Sequence, residues 1–340
     1  MPERGEPPHP VAAPDATVTR PGARTAICLS TLGLAAVAPS PAAIEEPVRF
    51  DADELTRIVR QGSWPPPVQR DPTNRVSGNA AAIAFGRQLF FEPRFSPSGY
   101  IACVACHYRA AFGADPARQN AETVLVNVGK ALAAYQETLA TGRTAFDDFR
   151  DALARGEPAP RSYPPAAQRG LKLFVGRGNC FACHSGPNFT DGAFRATGVP
   201  PFVGQAAADD GLYAGLRTLR ASQFNLQGRY SDDTARSTAN AARDAPRDLR
   251  DRGKWRTPSL RNVGVAAPYL HNGVASSLYD VVRRYARSGE KRRPGDDERD
   301  RRRVDLSAGD VEDLVAFLHT LTDADGARRP LAPLEAAPCD

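Results

Sequence analysis

Methionine is almost absent from this chain of 340 residues: Met1 is the one example, so no internal thioether is on offer as a metal ligand. Tryptophan occurs twice and histidine five times, and four lysines stand against forty arginines, a bias that reads as genome composition rather than chemistry. Six cysteines are present, but Cys28 and Cys339 fall in segments expected to be removed or loose, so no disulfide framework is implied. Long apolar runs are missing too. The best, Thr25 to Ala38, is too short and too interrupted to span a bilayer. The net charge of +5 suggests nucleic acid until it is located. Arg283 to Arg303 holds ten basic and five acidic residues, the whole excess, and the rest of the chain is balanced. Nucleic-acid binding is therefore not expected, and that stretch reads as a solvated loop or a dock for an acidic partner.

What is present begins with a leader. Arg20 and Arg24 precede the Thr25–Ala38 run, and small residues and prolines follow to Ala43, the order of a secretory signal over residues 1–43. The four other cysteines form two copies of one motif, Cys103-Val104-Ala105-Cys106-His107 and Cys180-Phe181-Ala182-Cys183-His184. Two thiols one helical turn apart can form thioethers with the two vinyl groups of a haem, and the following imidazole can ligate its iron. A zinc ribbon wants its knuckles about 15–20 residues apart; here 74 positions separate Cys106 from Cys180. A thioredoxin-like motif needs a preceding strand, and neither copy has one. Two covalently bound haem c groups are expected, on Cys103, Cys106, Cys180 and Cys183, with His107 and His184 as iron ligands.

The pattern between the motifs is helical. Helices are expected over Asp51 to Gln61, Asn79 to Phe91, Ala121 to Thr141 and Ala145 to Arg155, and a last one capped by Ser307 with Val311, Leu314, Val315, Leu318 and Leu321 on its apolar face. Gly86 to Phe90 and Gly170 to Phe174 both read Gly-x-x-Leu-Phe ahead of a haem motif, which points to a duplicated unit. The expected fold is all-α, two cytochrome c-like helical haem domains with long loops. The first covers 46–157, the proline-rich 158–165 links it to a second over 166–325, and 326–340 is a loose tail. Residues 186 to 252 read as loop.

Three segments, LFFEPRFSPSGYIACVACH, CHSGPNFTDGAF and WRTPSLRNVGVAAPYLHNG, together with the closing VEDLVAFLHTLT, resemble the bacterial di-haem cytochrome c peroxidases, the MauG-like branch included. That resemblance implies an exported, periplasmic enzyme in which the N-terminal haem meets hydrogen peroxide and the C-terminal haem relays electrons to it. A small donor such as a c-type cytochrome or a cupredoxin would supply them. It also allows two other roles: long-range oxidation of a protein partner, and electron transfer without catalysis. Because Met1 cannot serve, the relay haem would take a tyrosine as its sixth ligand, and the matching position is Tyr285. Leu278, Val281, Val282 and Tyr285 share a helix face, which directs this tyrosine inward; as a residue pattern alone, that equally describes a core tyrosine. His271 and His319 are the other imidazoles in reach.

The chain departs from the family after the first motif, where only Tyr108 to Asn120 stand before the next helix. The distal acid/base group, the inter-haem tryptophan and the amide ligand of the family's calcium site have no equivalents there, and no catalytic residue is assigned. Trp64 and Trp255 stand elsewhere. Carbonyls of Ala266 and Pro268 could face calcium, a weak site by themselves.

Overall fold

The computed structural model describes residues 48–68, 70–92, 111–196, 210–236, 249–287 and 304–324. Cys103, Cys106 and His107, the leader, the tail, Cys28, Cys339 and residues 288–303 lie outside them. The helices are α1 (Ala52–Val59), α2 (Ala80–Phe90), α3 (Ala121–Gln136), α4 (Ala145–Ala154), α5 (Pro165–Val175), α6 (Leu212–Ala221), α7 (Leu278–Arg287) and α8 (Ala308–His319). The all-α expectation needs one correction. Phe194–Ala196 (β1) and Lys254–Arg256 (β2) pair antiparallel, with Arg195 opposite Trp255, so the chain is mostly helical with a two-stranded ribbon.

Local chemistry sets the helix starts. Asp51 and Glu54 form a reciprocal capping box on α1, Ser307 and Asp310 form another on α8, and the Asn79 and Asn120 side chains accept from Ala82 N and Thr123 N. Each gives otherwise orphaned helix-end amides an acceptor. α6 lay inside the expected loop: its N-cap Gly211 offers no side chain, and although Leu212, Leu216 and Leu219 share a face, none of its residues is buried.

Two helix crossings organise the molecule, and they are built alike. A Cβ on Gly86 of α2 would stand 2.0 Å from the Ala131 carbonyl oxygen and 2.9 Å from the Tyr135 Cβ of α3. On Gly170 of α5 it would stand 1.9 Å from the Asp313 oxygen and 2.9 Å from the Phe317 Cβ of α8. Glycine inside a helix costs about 1 kcal/mol relative to alanine; here the backbone-to-backbone approach requires it. The repeated Gly-x-x-Leu-Phe is thus a repeated packing device.

Two apolar clusters follow. The smaller gathers Val76, Phe85, Leu89, Val128, Ala131 and Ala134 around α2 and α3. The larger gathers Phe174, Phe189, Val282, Leu314, Phe317 and Leu321, and it takes Ile58 from α1 and Phe146 and Phe149 from α4. It therefore draws on chain from both sides of the proline-rich 158–165 stretch. At its centre Phe189 meets Phe146 edge-on, ring centroids 5.0 Å apart, and Phe174 meets Phe317 at 4.9 Å.

Loop 224–236 is tied back to the smaller cluster through Asp232, whose carboxylate accepts from Lys130 Nζ at 2.5 Å and Arg75 N at 2.7 Å. Burial works to raise the Asp232 pKa, but these donors outweigh it and hold the carboxyl below its ordinary value. A depressed folded-state pKa contributes stability above the unfolded value, about 4, and that stability is lost as pH falls through the folded value. Asp232→Asn is therefore expected to melt below the parent at neutral pH and to converge with it on acidification below about pH 4. A melting gap that stays constant down to about pH 2 would remove Asp232 from this role.

Candidate functional site

α5 ends where Gly178 N bonds back to the Leu173 carbonyl at 2.8 Å, and Asn179, at φ 54°, turns the chain into a single tight turn, Cys180–Ala182. His184 N donates to Cys180 O at 2.9 Å, completing one helical turn. Cys180 and Cys183 thereby sit one turn apart on the same side, and no disulfide joins them. Burial, with Cys183 adding to it, pushes the Cys180 thiol up to about 12. A redox or metal-exchange cysteine needs the opposite shift, toward thiolate. Among the described residues no three Cys, His, Asp or Glu side chains gather as a metal cluster either.

The loop that follows fixes His184. Phe189 N donates to Gly186 O at 2.8 Å and Asp191 N to Cys183 O at 3.0 Å, closing residues 183–191 on themselves. Phe189 is fully buried at φ 52°, a left-handed conformation that is strained for a bulky residue. That conformation places its carbonyl 2.9 Å from His184 Nδ1. A carbonyl only accepts, so Nδ1 carries the proton and Nε2 keeps its lone pair for a metal. Burial lowers the His184 pKa, which keeps the ring neutral, the form that ligates.

Tyr285 stands one turn beyond Val282 and two beyond Leu278, both buried in the larger core. The residue is nonetheless 49% exposed, so the shared helix face does not turn it fully inward as the spacing predicts. Burial first, then the nearby thiols of Cys180 and Cys183, hold its pKa above the ordinary value. Cys180 and Cys183 are thus near enough to act on the Tyr285 phenol electrostatically. His319 is exposed at the end of α8, and the His271 ring is stacked on Trp255 at 4.0 Å.

Sequence reasoning missed the supports of this site. Gln61 is fully buried and its Nε2 donates to the His184 carbonyl at 3.3 Å, while its Oε1 makes no hydrogen bond. Arg261, inside the WRTPSLRNVG segment, donates from Nε to Pro187 O at 2.7 Å and through both terminal nitrogens to Asp147 at 2.8 Å. Its guanidinium lies 3.7 Å from the Trp64 ring centroid, and Trp64 Nε1 donates to Thr141 O at 3.0 Å. Each of these residues is distant in sequence from the motif it braces, so no spacing rule reaches it. In the short stretch after the first motif, the one carboxylate, Asp115, accepts from Ala117 N at 3.0 Å as the cap of a small turn.

The family profile described as Di-haem cytochrome c peroxidase matches residues 80–124. Cytochrome-c peroxidase IdrP1 of Denitromonas iodatirespirans is 32% identical over 258 residues, 73% of this chain and 59% of that protein. Methylamine utilization protein MauG of Methylorubrum extorquens is 29% identical over 283 residues, 79% of this chain and 69% of its own. Among solved structures, a MauG-like protein associated with microbial copper homeostasis aligns over 79% of this chain and 98% of its own, at 23% identity and a TM-score of 0.47. The chain spans between 49% and 59% of the first of the curated peroxidase relatives. With its paired Cys-x-x-Cys-His motifs, the chain is by these matches a relative of the di-haem cytochrome c peroxidases, the MauG proteins among them.

Proposed function

We propose that the chain is an exported, periplasmic di-haem c-type cytochrome that reduces hydrogen peroxide, with electrons entering at the His184 site and leaving at the His107 site. The observation that carries this reading is the His184 loop: a strained, buried Phe189 whose carbonyl stands 2.9 Å from Nδ1, beside two thiols on one helical turn. Those residues fit a haem. Cys180 and Cys183 would hold its vinyl carbons through thioethers, His184 would ligate its iron, and Tyr285 would take the sixth position. When bound, the group supplies one-electron redox chemistry at iron. The chain's own residues do the rest: Phe189 orients the imidazole, Arg261 and Gln61 hold the loop, and the larger core packs against Cys180 and Phe181. Cys103, Cys106 and His107 would hold the second group. A small donor protein such as a c-type cytochrome or cupredoxin is the proposed reductant. Calcium has only the Ala266 and Pro268 carbonyls to offer and is not part of the reading.

Two observations favour neighbouring roles. A tyrosine beside Cys180 and Cys183 suits long-range oxidation of a protein partner, as the relation to MauG suggests. The stretch from Tyr108 to Asn120 suits an electron carrier, because Asp115 is spent on a turn and a proton shuttle over the first iron is needed for peroxide cleavage. One equivalent of peroxide added to the fully loaded ferric protein separates them: a prompt Soret shift is expected, and simple bleaching would reduce the protein to a carrier. Tyr285→Phe is expected to convert a low-spin ferric component to high-spin by electron paramagnetic resonance; an unchanged spectrum removes Tyr285 from the iron.

A further inference from the structure

α3 has two working faces. Val128, Ala131, Ala134 and Tyr135 are buried toward α2, the helix that leads to Cys103. The other face, with Leu125, Gly129 and Ala133, lines a cavity of about 450 Å³ whose remaining walls are the 71–74 turn and the 224–231 loop. Such a volume is in the range of small-molecule sites, which are apolar with few polar groups. Leu125, Phe224 and Leu226, three large apolar side chains left 57%, 45% and 36% exposed, converge on it rather than scattering over the surface.

The walls are fixed in place. Asp232 ties the 224–231 loop to Lys130 of α3 and Arg75, and its backbone N donates to Thr73 O at 3.1 Å. Phe224 and Tyr230 are stacked 5.5 Å apart, and Arg229, paired with Glu122, covers Tyr230 from outside. Lys130 and Asp232 neutralise each other at 2.5 Å, and Asp71, held by Thr73 N and Oγ1, adds a carboxylate to the wall, so the cavity selects against an anionic guest. Ser231 Oγ is buried and makes no hydrogen bond. Gly129 is unlike Gly86: a Cβ there would meet nothing within 4 Å. Mid-helix glycine is unfavourable, and at this position it keeps the cavity floor open.

We infer that this cavity is a binding site for a small, neutral, planar aromatic molecule of one or two rings carrying a hydroxyl or carbonyl group. The rings lie against Phe224, Tyr230 and Leu125, where offset stacking is available, and the polar group pairs with Ser231 Oγ, which otherwise bears the cost of burial without a partner. The site stands on the face of α3 turned away from α2 and does not depend on the peroxidase reading.

The test is a fluorescence and calorimetric titration of the full-length, haem-loaded protein with 2-naphthol. Saturable one-to-one binding is expected. Ser231→Ala should weaken it about fivefold, one lost hydrogen bond, while binding of naphthalene stays unchanged. Gly129→Leu, or Ala133→Leu one turn away, should abolish binding with the circular dichroism and the haem absorption spectrum preserved. Binding equal to the parent in both filled variants, or no saturation up to the solubility limit of 2-naphthol, would overturn the assignment.

Discussion

Arg261→Met is expected to cost about 3–5 kcal/mol of stability, the range for removing one partner of a buried ion pair. The side chains of Arg261 and Asp147 are 3% and 1% exposed and are joined by two parallel bonds of 2.8 Å. Without the guanidinium, Asp147 keeps only Thr144 N and Oγ1 as donors, too few for a carboxylate cut off from water. The Pro187 carbonyl and the Trp64 face lose their partner too, so the 183–191 loop loosens. Urea unfolding of the single variants and of Arg261→Met/Asp147→Leu measures this directly. The double variant should be distinctly less unstable than the sum of the singles. Additive losses would show that the pair is not coupled.

Gly170→Ala follows, with an expected loss of about 3 kcal/mol, the upper end of overpacking costs. The added methyl would sit 1.9 Å from the Asp313 oxygen, and that oxygen is backbone, so α5 and α8 must separate. Gly86→Ala should behave alike at the α2–α3 crossing, where the distance is 2.0 Å. Gly129→Ala is the control. It meets nothing within 4 Å and should stabilise by about 0.5–1 kcal/mol through helix propensity. Thermal melts of the three decide the matter: were all three to stabilise, the close crossings would be absent from the folded protein.

Much of this was legible in the residues. Asp51, Asn79 and Ser307 mark helix starts because their side-chain oxygens serve helix-end amides, and the structure puts α1, α2 and α8 directly after them. The expected helix to Thr141 stops at Gln136; the apolar period marks a face, not an end. The ribbon of β1 and β2 was out of reach because its strands are three residues each and pair across a gap in sequence, with too little alternation to detect. The tight turn was readable from the spacing of Cys180, Cys183 and His184, yet its brace was not. Arg261 looks like any surface arginine until Asp147, Pro187 and Trp64 are folded around it. Asp147 in turn looks like an ordinary first-turn acid of α4.

The larger core also dictates an order of events. Ile58 of α1 and Phe146 of α4 share it with Phe317 and Leu321, residues far away along the chain. A folding chain can form local helices early, but α1 has no completed core to join until α8 docks. Until then the Cys180–Cys183 turn lies on open chain, accessible from every side. A reagent for those thiols therefore has its widest access before α8 docks.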